Sequence, residues 1–221
     1  MSSQMIEFII LFAIAAFVLY RLRSVIGTRT GYEPPPGQAR TGRPEAVRDD
    51  NPPTPAEDDE LEAAAVRALD PEARAALDEI LKIEPDFDLE EFLHGARSAY
   101  EMVLMAYEEG DRQLLQDLLT PDVYQAFEGV IAQREEQGLK VEARFIGVRD
   151  IRVESLRFDA ETAEADLTLR MIGEMITAVR DEANRVVEGD PNAIRRQTDV
   201  WTFSRVMGSQ NPNWLLSATG G

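Results

Sequence analysis

The chain has 221 residues, a net charge of −18, no cysteine and a single histidine, His94. The missing thiols exclude disulfide scaffolds, thiolate metal sites and cysteine nucleophiles, and one histidine leaves no histidine-based triad or zinc cluster. So acidic a body repels phosphate backbones, which argues against nucleic acid as a partner.

The first predicted element is a membrane span. Met5 to Tyr20 reads MIEFIILFAIAAFVLY, apolar on every face save for Glu7. A surface helix would carry polar residues at every third or fourth position; this run suits burial in hydrocarbon all round. Its core is Ile6, Phe8, Ile9, Ile10, Leu11, Phe12, Ile14, Phe17, Val18, Leu19 and Tyr20. The run is short against the ~20 residues of a bilayer helix. Leu22, Val25 and Ile26 extend it, while Arg21 and Arg23 can snorkel to the headgroups. Arg21, Arg23 and Arg29 follow the run and no cation precedes it, the reverse of a cleaved signal peptide. The positive-inside rule then puts the N-terminus outside and the body in the cytoplasm. Arginines dominate from Arg21 to Arg48, a basic collar suited to anionic lipid.

Residues 1–27 thus read as an anchor and 28–56 as a disordered, proline-rich linker. The stretch GYEPPPGQARTGRPEAVRDDNPPTP is poor in apolar residues, the composition of a semi-rigid spacer or, alternatively, of a ligand for proline-binding domains. Residues 57–84 form an acidic helical segment in one or two pieces, with Asp70 capping the second and Pro71 at its first position. Leu61, Ala65 and Leu69, then Ala73, Leu77, Ile80 and Leu81, give each piece one apolar face. The segment reads as solvated helix resting loosely on the domain, or as a partner-binding amphipathic helix. The run Glu57-Asp58-Asp59-Glu60 reads as its solvated acidic cap, without the pattern of a calcium loop.

Residues 85–221 form the main domain. A stronger helix starts at Asp86 or Asp88 and ends at Gly110; Asp111 caps a short successor. Thr120-Pro121 opens a third helix with Val123, Phe127, Val130 and Ile131 as its apolar stripe. After Gly138 the period changes to two. Leu139, Val141, Ala143 and Phe145 alternate with charged residues, and the phase shifts near Gly147, the mark of a bulge. Further strands run from Ala163 to about Val179, from Gln197 to Met207 and from Asn213 to Thr219. Helices first and long antiparallel strands afterwards predict an α+β domain, its helices packed on a curved, cone-like sheet. Such a cone encloses an apolar pocket, for which the inward candidates are Phe92, Ala96, Tyr100, Val103, Phe127, Leu167, Leu169, Trp201 and Phe203.

Several stretches together resemble a known family. YRLRSVIGTRTGYE after the apolar run, FDLEEFLHGARSAYEMVLMAYEEGDRQLLQDLLTPDVYQAF, and the closing VVEGDP, TDVWTFSR and NPNWLLSAT are similar to bacterial proteins of the Tim44-like family. The resemblance implies a domain like nuclear transport factor two, with an apolar pocket and an affinity for membrane. It further implies an adaptor in protein transport or membrane-protein handling at the bacterial inner membrane. The partners would be membrane lipid, anionic included, and a protein of a translocation, insertion or chaperone system. Unlike the mitochondrial member, this chain has a span and short linker where a long chaperone-binding region would stand.

No phosphate loop, nucleophile elbow or metal-spaced cluster is present in the sequence, so the expectation is a non-enzyme without cofactor or metal. Two alternatives stay open. One is a domain that binds lipid or a small apolar ligand. The other is an isomerase-type enzyme with a pocket carboxylate as base, for which Asp199 and Glu174 are the strand-borne candidates, although surface positions are expected for both. His94 reads as a helix-surface residue, and Tyr100, Tyr107, Trp201 and Trp214 as core.

Overall fold

The computed structural model describes residues 55–220. The apolar run from Ile6 to Tyr20, the arginines at 21, 23 and 29, and the linker to residue 54 lie outside the described residues. Among the described residues, no helix is long and apolar enough to cross a membrane.

Five helices come first: α1 (Pro55–Arg67), α2 (Pro71–Ile83), α3 (Leu89–Glu109), α4 (Arg112–Leu118) and α5 (Pro121–Glu136). The strands follow: β1 (Lys140–Asp159), β2 (Glu164–Arg180), β3 (Val186–Gly189), β4 (Arg195–Val206) and β5 (Leu215–Gly220). All strand pairs are antiparallel, in the order β1-β2-β4-β5, with β3 joined to the end of β2. This is the expected α+β arrangement of helices on an antiparallel sheet.

Local chemistry sets the helix ends. Asp70 accepts from the Ala73 amide at 2.7 Å, Asp88 from Glu90 at 2.8 Å, and Asp111 from Gln113 and Leu114 at 3.1 Å. Gly110 closes α3 in the left-handed conformation at φ 74°, which a side chain would disfavour. Thr120 precedes α5 without a side-chain cap; its amide instead donates to the Leu216 carbonyl, tying the helical layer to β5.

The core lies between the layers. Leu89, Phe92, Leu93, Ala96, Tyr100, Val103 and Ala106 form the buried ridge of α3. It rests on the inner sheet face, where Leu167 stands opposite Phe203, Leu169 opposite Trp201 and Ile151 opposite Met171. α1 and α2 are packed rather than loosely solvated: Ala65, Leu69, Ala73 and Ile80 are all buried, Ile80 completely. The acidic start of α1 also departs from the solvated reading, because Asp58 and Glu62 turn inward to pair with Arg97 of α3.

Two other expectations change. β1 carries three register irregularities rather than one, after Phe145, Val148 and Val153; each bends the strand and tightens its twist. Val130 is exposed, because Val123, Phe127 and Ile131 already form the inward line of α5, one residue every turn.

The two layers approach closely at Gly173 of β2. A Cβ there would lie 2.6 Å from the Tyr100 hydroxyl oxygen and 2.7 Å from its ring, and Tyr100 is fully buried. Gly95 of α3, by contrast, has nothing within 4 Å of a new Cβ. Chemical denaturation should therefore separate the two alanine variants. Gly173→Ala is expected to lose about 1–3 kcal/mol through overpacking, and Gly95→Ala to gain roughly 0.5–1 kcal/mol of helix stability. Equal effects would contradict this packing.

Candidate functional site

A cavity of about 870 Å³ opens where the α2–α3 connection faces the end of the sheet. That volume falls within the ~300–1,000 Å³ typical of ligand pockets. It exists because α3 turns small residues, Gly95, Ala96 and Ala99, toward this end of the core. Around the gap stand aromatic rings. Phe92 and Trp214 meet edge-on at 4.7 Å, Phe87 lies 6.0 Å from Trp214, and Phe203 lies 6.0 Å from Phe92. Phe87 is placed by the short loop between the α2 end and the Asp88 cap, where its amide donates to the Glu84 carbonyl at 3.0 Å. Trp214 follows the irregular Pro212-Asn213 segment that leads into β5.

Charge is distributed unevenly around the opening. Asp86, Asp88, Glu91 and Asp117 stand at the rim, all exposed. Among the described residues, the sole cation in the lining, Arg205 of β4, is taken by Glu84: its Nη2 donates to both carboxylate oxygens, and the Gly208 amide adds a third bond at 2.6 Å. The Arg205 guanidinium also lies 5.9 Å from the centre of the Trp214 ring. Partial burial pushes the Glu84 carboxyl up, but the Gly208 amide and Arg205 outweigh it, and the net shift is downward. A general base for neutral pH needs the opposite.

Of the residues expected to form the pocket, Phe92, Ala96 and Phe203 line this cavity. Tyr100, Val103, Leu167, Leu169 and Trp201 are packed solid in the core beyond it. Phe127 meets Tyr107 edge-on, 5.0 Å away at the far end of α3. Composition alone did not single out Phe87, Trp214 or the Glu84–Arg205 pair as lining. The legible signal was the small stripe Gly95, Ala96, Ala99 beside Phe92, which leaves a hole next to an aromatic ring.

The two strand carboxylates are not surface residues. Asp199 shares the inner face with Trp201 and accepts from the Tyr100 hydroxyl at 2.5 Å and from Gln197 Nε2 at 2.9 Å. Burial and the adjacent carboxylate push the Tyr100 hydroxyl well above its ordinary range, so it stays a proton donor. Glu174 lies on the opposite face, buried between Arg149 at 2.6 Å and Arg196 at 2.5 Å. Burial raises the Glu174 carboxyl, the two guanidinium groups lower it further, and it remains an anion. Neither residue lines the large cavity.

Oxygens of Asp59 and Glu62 and a ring nitrogen of His94 lie within 4.8 Å of one another, the one such group of potential metal ligands among the described residues. Arg97 already occupies it, with Nη1 donating to Glu62 at 3.0 Å. Burial nevertheless keeps the Glu62 carboxyl above its ordinary range.

Replacing Glu84 tests the wall of the cavity. Its folded pKa is depressed, so its contribution is present above the ordinary glutamate range and lost as pH falls through the folded value. Glu84→Gln should lower the urea midpoint near neutral pH by the equivalent of about 1–3 kcal/mol. The gap to the parent chain should close at acid pH. A gap independent of pH would contradict the assigned pairing.

Comparison with known proteins matches the sequence of this chain to a family. Residues 73–221 match the Tim44-like domain, starting inside α2 and covering all of the sheet. Over 142 residues the chain is 26% identical to the human mitochondrial import inner membrane translocase subunit TIM44 and 23% identical to the rat protein. Each match covers 64% of this chain but only 31% of the relative. The intermembrane-space region of the chloroplast protein ARC6 aligns over 57% of this chain and 94% of its own, at 16% identity and a TM-score of 0.35. With the match spanning two thirds of its length, the chain belongs to the Tim44-like domain family.

Proposed function

We propose that this chain is a docking adaptor for protein translocation or membrane-protein handling. The N-terminal apolar run anchors it by a single pass in a bacterial inner membrane, N-terminus outside, and the linker holds the domain at the cytoplasmic face. The aromatic cavity is the docking surface. The observation that carries this reading is that cavity: four rings around a gap, in a translocase-related domain, with its one lining cation already neutralised by Glu84. A docking role asks for burial of apolar anchors and no chemistry. The identity of the TIM44 relatives as translocase subunits supports the same assignment.

A second reading rests on the cavity volume, which suits a lipid tail or another small apolar molecule as well as side chains. Native mass spectrometry of the detergent-free protein would detect such a ligand directly. An isomerase role finds less support, since Arg205 and the Gly208 amide hold the Glu84 carboxyl low and the other lining carboxylates, Asp86, Asp88, Glu91 and Asp117, are exposed to solvent.

Photo-crosslinking separates these readings. A benzoylphenylalanine placed at Ala99, inside the cavity, should capture a defined protein of a transport or insertion system in intact cells. The same group at exposed Val130 should not. Capture of lipid alone at Ala99 would replace docking by the second reading. Digestion of the domain by protease added to intact cells would overturn the proposed topology.

A further inference from the structure

We infer that the cavity takes a positively charged peptide segment, one that inserts an apolar side chain among the rings and lays lysine or arginine on the rim. The inference rests on the docking reading above and names the chemistry of the partner.

The rim is acidic. Asp86, Glu91 and Asp117 line the opening, are exposed, and make no ion pair with another described residue. Asp88 uses its carboxylate to cap α3. A cluster of unpaired carboxylates around a low-dielectric floor raises the local concentration of cations. The floor is aromatic. Phe87, Phe92 and Trp214 offer faces and edges to an apolar side chain, and a neighbouring cation gains further from ring faces. Arg205 already stands 5.9 Å from Trp214 in that role. The surrounding field has the same sign. Over residues 55–136, carboxylates outnumber cations nearly four to one, whereas the sheet half from 137 onward is close to balanced. Most of the cavity lining comes from the acidic half, with Phe203, Arg205 and Trp214 from the sheet.

The rival occupant is an amphiphile with an anionic head. Among the described residues, Arg205 is its one cationic partner in the lining, and the Arg205 Nε is buried with no acceptor among them. Yet Nη2 is committed to Glu84, and any anion entering would pass Asp86, Glu91 and Asp117. Charge repulsion at the rim thus selects against anionic headgroups and for a cationic segment.

The test uses the full chain in phosphatidylcholine nanodiscs and fluorescence anisotropy of labelled short peptides. One carries a tryptophan flanked by arginines; a second has glutamates in place of the arginines; a third has serine in place of the tryptophan. The first should bind, weaken as salt is raised, and exceed the other two. The variant Asp86→Asn/Glu91→Gln/Asp117→Asn should lose roughly eight-fold in affinity, about two-fold for each exposed charge, with unchanged thermal unfolding. Ala99→Phe, which fills the cavity, should abolish binding while leaving the rim charge intact. Equal binding of the glutamate peptide, indifference to the triple substitution, or competition by phosphatidylglycerol vesicles in place of salt would overturn the inference. The docking reading fails separately: a protein crosslinked at Ala99 through an acidic or uncharged segment would sink the cationic-peptide assignment and leave docking standing.

Discussion

The whole body depends on how closely α3 lies on the inner face of β2 and β4. Tyr100 reaches across the full depth of the core, and it can do so because position 173 has no side chain. Its hydroxyl ends on Asp199, with Gln197 donating to the same carboxylate, so the longest side chain of the ridge leaves no polar atom stranded. Trp201 packs against the Tyr100 ring at 4.7 Å and Phe145 at 6.0 Å. Around this pin, Leu93, Val103, Leu167, Leu169 and Met171 are fully buried, leaving the middle of the domain without space.

That tight centre shapes what happens one turn away. Toward its N-terminus, α3 presents Gly95, Ala96 and Ala99, which cannot span the same gap. The backbone is held at one spacing by Tyr100, so small residues next to it leave an opening rather than a collapse. The opening is walled by elements that are themselves fastened. Glu84 ties the α2 end to β4 through Arg205 and to the following turn through Gly208. Thr120 ties the helices to β5 through Leu216. The cavity is thus a consequence of the core, and its acidic rim comes from the two helix junctions that carry Asp86, Asp88, Glu91 and Asp117.

Features governed by neighbours in sequence were legible. Asp70, Asp88 and Asp111 cap helices by bonds to amides two or three residues on, and Gly110 ends α3, so each could be read from a few letters. The long strands announced themselves by alternation, and the aromatic core positions followed from it. Features decided between elements were not legible. Asp199 looks like a surface residue until Tyr100 is brought over it. Phe87 sits in a loop with no period, yet Trp214, more than a hundred residues later, completes its cluster. The extra irregularities of β1 leave no glycine signature after Val148 and Val153. Asp58 and Glu62 belong to an acidic run, and only the arrival of Arg97 turns them inward.

The docking proposal requires that a partner enter the cavity in the cell. Hydroxyl-radical footprinting of the two tryptophans measures this most directly. Trp201 is 3% exposed and serves as the internal reference, while Trp214 is half-buried at the cavity wall. If a partner occupies the site, Trp214 should oxidise far more slowly in living cells than in the purified full chain, with Trp201 unreactive in both. Equal oxidation of Trp214 in the two settings would mean an empty cavity and would contradict docking there.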